Sequence, residues 1–333
     1  MTKDKTCRLF LLIISLFSTF LWSNDRTEGI QKFSNTLMGA DVHILVDSED
    51  SSDLKSAITA TYTEGERLNT IFSDYNAESE ISRFFKTSGT GKSMRLSKEL
   101  FDVLEHAKIL SDLSNGAFDV TLGPLSRLWR IARFQKKLPN SIKLSDALKR
   151  TGHQHLVLNN SMSSGELLLP SMVLDLGGIA KGYVADRMLE MMKSRGYPRC
   201  LIDAGGDLTI GDAPRNRDGW RVEIGGRKHP ELPIIALSNC AIATSGDLEQ
   251  FLEIGDKRYS HIINPHTGYG LTERAQSTVI APNCMLADSL ASTSLGLGFE
   301  RSCVLLKDFE IECFYFLHEK ESNRQLNVYK GSQ

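Results

Sequence analysis

The chain predicts an α+β fold in which helices and strands mix without regular alternation. Three observations carry that expectation. Apolar residues recur at every second position from Ala40 to Val46. Several later stretches space them at three and four residues. Short strand candidates crowd the chain after residue 199. The strict strand–helix alternation of a doubly wound sheet is absent. A length of 333 residues leaves room for one large or two ordinary domains, but no repeat or low-complexity linker marks a boundary, so 25–333 reads as one unit.

The first segment is set apart from the fold. Lys3, Lys5 and Arg8 precede an apolar run from Leu9 to Trp22, followed by polar Ser23, Asn24 and Asp25. A basic head, a short apolar core and a polar exit predict a secretory signal over 1–24. The run is shorter than the roughly 20 residues of a spanning helix. Export is therefore expected, to the periplasm, with the signal either removed or kept as an inner-membrane anchor.

Ala40, Val42, Ile44 and Val46 form one face of a half-buried strand. Ser52 is the expected cap of a helix carrying Leu54, Ala57, Ile58, Leu68, Ile71 and Phe72. Ser97 opens another, through Leu100, Val103, Leu104, Ala107 and Leu110, stopped by Asn115-Gly116. Turns are expected over 120–150, with a short helix near Ser145 to Arg150. Leu156–Leu158 and Leu167–Leu169 read as paired strands about a Ser-rich turn at 161–165. A helix from Ile179 to Arg195 ends at Gly196. Beyond it strands are expected at 199–203, 220–224, 233–237, 258–263, 276–281, 311–317 and 325–329, with helices at 285–297 and 299–308.

A formal charge of −2 and the absence of a basic run interleaved with aromatics exclude a broad nucleic-acid surface. Cys200, Cys240, Cys284, Cys303 and Cys313 make no Cys-x-x-Cys pair, so zinc and thiol-redox chemistry are disfavoured and buried reduced thiols expected.

Chemistry concentrates elsewhere. Strand-like Met172-Val173-Leu174 leads into Asp175-Leu176-Gly177-Gly178 and then a helix containing Lys181. Two glycines admit a ligand close to the backbone, and a helix N-terminus offers unpaired N–H groups to a pyrophosphate. An ordinary strand-to-helix turn reads the same way. Asp288 and Ser292 are four apart and share a helix face, and a carboxylate with a hydroxyl suits magnesium. His261 lies on a strand candidate with Tyr259 on the same face, and imidazole exchanges protons near neutrality. Thr244-Ser245-Gly246-Asp247 reads as a small-residue turn. Phe72-Ser73-Asp74-Tyr75 and Gly116-Ala117-Phe118-Asp119-Val120-Thr121 combine aromatic and polar groups able to stack on a ring system or to close the core.

Taken with Met38-Gly39-Ala40, Ser79-Glu80-Ile81-Ser82-Arg83, Gly123-Pro124-Leu125 and Gly205-Gly206-Asp207, these blocks make the chain resemble the ApbE family of FAD:protein FMN transferases. The resemblance implies a T-fold-related α+β architecture, two closely packed subdomains with FAD in the cleft between them. It implies transfer of the FMN half of FAD to a Ser or Thr hydroxyl of an acceptor protein, with release of AMP. By position, Met38, Tyr75, Ala117, Phe118, Asp119, Asp175 and Lys181 would contact FAD. Gly178 (through its carbonyl), Asp288 and Ser292 would hold Mg2+, and His261 would be catalytic. The implied acceptor carries Asp-x-x-(Ser/Thr)-Gly-Ala-(Ser/Thr), as in a subunit of a sodium-pumping NADH:quinone reductase. Asp112 to Phe118 comes near that motif, but Asn115 and Phe118 stand where hydroxyls are needed. The chain departs from the family pattern at Ser292 (usually threonine, with Thr293 adjacent), at Asn264 (usually aspartate) and at Trp129-Arg130-Ile131 (usually Trp-Gly-Phe). FAD hydrolysis to FMN and AMP, and flavin binding without turnover, are the alternatives.

Overall fold

The computed structural model describes residues 29–49, 52–225, 232–246, 250–309, 311, 313–320 and 323–331. The expected signal at 1–24 lies outside them, as does Asp247.

A hairpin opens the fold. Strands β1 (Ile30–Leu37) and β2 (Ala40–Asp47) are joined by Met38 and Gly39, at φ 54° and 74°. Two successive positive φ values give the turn whose twist matches paired strands. Strand β1 carries polar side chains on both faces, so its pattern hid it. Helix α1 (Leu54–Phe72) starts from Asp53 rather than Ser52, and α2 (Glu80–Phe85) is capped by the Ser79 hydroxyl. After β3 (Met94–Arg95), Ser97 caps α3 (Lys98–Leu113) as expected, its hydroxyl accepting the Leu100 N–H.

The 120–150 stretch, expected as turns with one short helix near Ser145 to Arg150, is helical over most of its length, and the expected short helix starts earlier. It forms α4 (Gly123–Gln135), with Pro124 in its first turn, and α5 (Ser141–Leu148), capped by Asn140. The exposed Ile131 and Phe134 break the apolar stripe that would have betrayed α4. Strands β4 (Leu156–Asn159) and β5 (Ser164–Leu167) pair, but β5 takes in Ser164 and Gly165 of the expected turn and ends at Leu167, where the expected strand begins. Met172–Leu174 is no strand; Val173 makes a lone parallel bridge to Leu122.

Helix α6 (Ala180–Ser194) leads to β6 (Cys200–Ala204), β7 (Asp207–Ile210), β8 (Trp220–Glu223) and β9 (Ile234–Leu237). Strand β10 (Cys240–Gly246) absorbs the supposed turn at Thr244-Ser245-Gly246, which pairs with Thr278, Ser277 and Gln276. Then come β11 (Phe251–Ile254), β12 (Lys257–Ser260), β13 (Ala275–Ala281), α7 (Cys284–Leu297), α8 (Phe299–Leu305), β14 (Cys313–Lys320) and β15 (Asn323–Lys330).

One antiparallel sheet organises the molecule, in the order β1-β2-β6-β7-β10-β13-β14-β15. On one face α6 and α7 pack against its central strands with α1 behind α6, closing the largest core around Ile44, Leu68, Val184, Met188, Leu290 and Phe314. Under the other face, the β8–β9 pair packs Trp220 and Val222 against Leu208, Ile210 and Ile242. A third, smaller core joins α4 and α5 to the β11–β12 hairpin through Leu125, Trp129, Leu144, Leu252 and Ile263. The cysteines at 200, 240, 284, 303 and 313 form no disulfide among the described residues.

Candidate active site

The α6–α7 crossing builds one wall. Leaving Val173, the chain is pinned where the Asp175 N–H donates to the Val120 carbonyl at 2.7 Å. The Asp175 carboxylate then accepts the Gly177 N–H at 2.9 Å, turning the backbone through Gly177-Gly178 into α6. Gly182, in the first turn of α6, meets the start of α7, where any β-carbon would collide with the Cys284 carbonyl oxygen. Asp186, one turn on, accepts the Cys284 and Met285 N–H groups at 2.8 and 2.9 Å, capping α7 from a neighbouring helix. Burial pushes the Asp186 carboxyl up to about 6 despite those bonds.

Asp288 is only 3% exposed. The partner that the structure shows for its carboxylate is the Gly182 N–H, at a long 3.3 Å. Burial, reinforced by the nearby charge of Asp207, raises its pKa well above the ordinary carboxylate range, and Lys181 opposes the rise. Lys181 pairs with Asp207. Burial alone would lower the ammonium's pKa, but the charges of Asp207 and Asp288 win and keep it protonated.

Ser292 stands one helical turn beyond Asp288. Its hydroxyl shares a 2.9 Å hydrogen bond with Ser245 on β10. It also crowds Gly178, where an added β-carbon would lie 3.0 Å from Ser292 Oγ and 3.6 Å from the Phe118 ring. Gly178 and Ser292 therefore meet one helical turn from Asp288. Thr293 does not compete for the role: it is fully buried and its hydroxyl donates to the Ser289 carbonyl at 2.6 Å. A buried carboxylate short of hydrogen bonds, beside a hydroxyl pair and a glycine turn, is an oxygen donor set that fits a hard cation such as magnesium.

Phe118 and Ala117 line the same wall, Ala117 lying against Gly296 of α7. Asp119 is buried and saturated, accepting the Thr121 N–H and hydroxyl, both at 2.7 Å, and the His153 N–H at 3.0 Å. Its carboxylate thus holds the Ala117–Thr121 segment in shape. Met38 reaches the site from the β1–β2 turn, bordering a small cavity with Ala40, Lys181 and Ala204.

The opposite wall belongs to the third core. Trp129 of α4 is buried and donates its indole N–H to the Gly268 carbonyl at 2.8 Å, tying α4 to the loop after β12. His261 sits on that loop and not on a strand, because β12 ends at Ser260. There the Ser260 hydroxyl accepts the Ile262 N–H at 3.0 Å, bending the chain. Asn264 continues the bend by accepting the His266 and Thr267 N–H groups at 2.9 and 3.2 Å, work its carbonyl oxygen does as well as an aspartate's. His261 Nδ1 lies 3.1 Å from the Gln250 carbonyl. That acceptor requires the proton on Nδ1 and leaves Nε2 unprotonated. Burial lowers the His261 pKa; the Gln250 carbonyl opposes this, and Arg133 adds to it. The imidazole is therefore neutral at pH 7 and open to a proton.

Arg130 spans the cleft edge. Its guanidinium pairs with Asp74 at 2.8 Å and with Asp175 at 3.3 Å, and lies 4.7 Å from the Tyr75 ring centroid. Tyr75 itself is 79% exposed, a free aromatic face at the rim. Sequence reasoning saw Arg130 and Ser245 only as a departure and a turn residue, and missed Arg133, Asp186 and the Lys181–Asp207 pair. The one available signal was the arginine spacing, which puts 130 and 133 on the same face of a helix.

Residues 38–315 match the model of the ApbE family. A Vibrio cholerae FAD:protein FMN transferase is 33% identical over 257 residues, covering 74% of this chain and 75% of its own length. The FAD:protein FMN transferase of Treponema pallidum (strain Nichols) is 30% identical over 277 residues, covering 78% and 76%. Among solved structures, a mutant of the Vibrio cholerae flavin transferase ApbE superposes with a TM-score of 0.81 at 29% identity, over 90% of this chain and 97% of that one. The match takes in both walls of the cleft, and the chain belongs to the ApbE family.

Proposed function

We propose that the chain transfers the FMN half of FAD to a Ser or Thr hydroxyl of an acceptor protein and releases AMP. The observation that carries this reading is the under-bonded, buried Asp288 beside Ser292 and Gly178 at the start of α6, across the cleft from a neutral imidazole. Asp288, Ser292 and the Gly178 carbonyl would hold magnesium, which when bound supplies positive charge against a diphosphate.

The remaining work falls to the chain's own groups. The positive end of α6 would lie toward the diphosphate, and Lys181 would add a cation held in place by Asp207. Tyr75 and Phe118 offer aromatic faces, and Met38 an apolar one. The incoming hydroxyl needs somewhere to leave its proton, and Nε2 of His261 accepts it. If water takes the place of that hydroxyl, the same groups hydrolyse FAD to FMN and AMP.

The proposed acceptor is an exported or inner-membrane protein bearing Asp-x-x-(Ser/Thr)-Gly-Ala-(Ser/Thr), as in a subunit of a sodium-pumping NADH:quinone reductase. It would meet this chain in the periplasm, in keeping with the export segment expected at 1–24. Incubating the protein with FAD, magnesium and a peptide carrying that motif tests the reading. Flavin fluorescence should migrate with the denatured peptide, one AMP should appear per flavin fixed, and His261→Ala should cut the rate at least about 100-fold. Free FMN without labelled peptide would identify a hydrolase. Bound but intact FAD would identify a flavin-binding protein without turnover.

A further inference from the structure

Helices α4 and α5 have a charge unlike that of the rest of the chain. Contrary to the expectation that no basic run interleaved with aromatics occurs, residues 123–150 hold eight lysines and arginines, around Trp129 and Phe134, against the single carboxylate of Asp146, a net +7 in a chain whose total is −2. Asp146 is itself engaged by Lys149 at 3.7 Å. Arg130 is balanced by Asp74 and Asp175 and Lys149 by Asp146, but the other six cations enter none of the ion pairs among the described residues, and like charges at that density repel.

The same element exposes apolar side chains. Phe134 is 89% exposed and Ile142 70%, and Ile131 on α4 and Leu138 in the connection to α5 are exposed as well. Single exposed apolar residues are ordinary, but four within twelve positions on one helical pair form a patch. A cavity of about 320 Å³ opens between α4 and α5, lined by Arg127, Lys143 and Arg150 together with Asp146, whose charge Lys149 already engages.

The patch adjoins the cleft. Helix α4 turns Trp129 into the third core, Arg130 and Arg133 toward Asp175 and His261, and Ile131 and Phe134 to solvent. A protein presenting a hydroxyl to His261 must therefore lay its flanking surface beside this helix.

We infer that the solvent face of α4 and α5 is the docking surface for the acceptor protein, and that it selects acceptors whose modified hydroxyl is flanked by acidic residues and a large apolar side chain. This rests on the transferase reading above. The cationic rim steers the acidic flank and receives it at the Arg127–Lys143–Arg150 cavity, while Phe134 and Ile142 cover the apolar residue.

Two fluorescent peptides with the same Asp-x-x-Thr-Gly-Ala-Thr segment test this. One has Glu- and Leu-rich flanks and the other Gln- and Ser-rich flanks. Fluorescence anisotropy reads docking whether or not transfer follows, so failure of the transferase reading shows separately as binding without labelling. The acidic peptide should bind about tenfold more tightly in 50 mM NaCl, and the preference should vanish in 300 mM NaCl. The variant Arg127→Glu/Lys137→Glu/Lys143→Glu should reverse it. Phe134→Ser/Ile142→Ser should weaken the acidic peptide alone, and both variants should keep wild-type FAD binding. Equal affinity for the two peptides, or a preference untouched by these substitutions, overturns the inference. So does sedimentation with phosphatidylglycerol vesicles that the triple variant abolishes while peptide binding stays the same, which would make the surface a membrane contact.

Discussion

The two walls of the cleft are built by different means. The α6–α7 wall is main chain against main chain, with Gly182 on the Cys284 carbonyl and Asp186 on two amides, behind the largest core. The α4–β12 wall has a smaller core, tied by the Trp129 indole bond across 139 residues of sequence and by Trp129 packing on Tyr259 and Tyr269. The first wall holds the candidate metal ligands and the second the candidate proton acceptor. The side that must keep fixed distances is thus the rigid one, and the side that must admit a protein is the lightly held one.

The sharpest test of that division is Asp288→Ala. It should cost FMN transfer at least about 10³-fold while leaving the thermal midpoint unchanged or higher, since a strained buried charge is removed. Near-wild-type transfer would strike the metal site from the first wall. Gly182→Ala should destabilise the whole chain by about 3 kcal/mol in urea melts, because neither helix can retreat; a smaller cost would show that the crossing is not rigid.

Asp186 adds a pH signature to the same wall. Its folded-state pKa of about 6 exceeds the ordinary 3.8, so the folded protein binds the extra proton between those values. That contribution is complete below about pH 4 and lost as pH rises through 6. Unfolding free energies of wild type and Asp186→Asn should therefore converge or cross across that interval, by on the order of 2–3 kcal/mol. Parallel curves would remove Asp186 from the account.

On the opposite wall, Trp129→Phe leaves the Gly268 carbonyl without its donor and should cost about 1–2 kcal/mol. Hydrogen exchange should quicken over 250–271 and stay unchanged over 180–194; uniform quickening would mean that the walls are one unit. Smallest, Ser292→Ala should slow transfer about tenfold, equivalent to 1.4 kcal/mol, since Ser245 still offers a hydroxyl close by.

The sequence was informative to unequal degrees on the two sides. Helix α6 is legible through regular apolar spacing and the Gly196 that ends it, whereas the grouping of Gly178 with Asp288 and Ser292 is implied only by the family resemblance. Helix α4 is not legible, because the Ile131 and Phe134 that face solvent look like core residues. His261 was placed on a strand because its neighbours alternate in the right way, whereas Ser260 bends the chain through a side-chain bond that periodicity does not register. Arg130 belongs to the same class: its partners Asp74 and Asp175 are 56 and 45 residues away, and only the folded chain joins them.

Gly182 has one more implication. The gap between its helix and the next is set by backbone contact, so it works as a gauge that no repacking of side chains can widen. To accommodate an ion of larger radius, a descendant of this chain would have to re-angle two helices, and exchanging a ligand would not suffice.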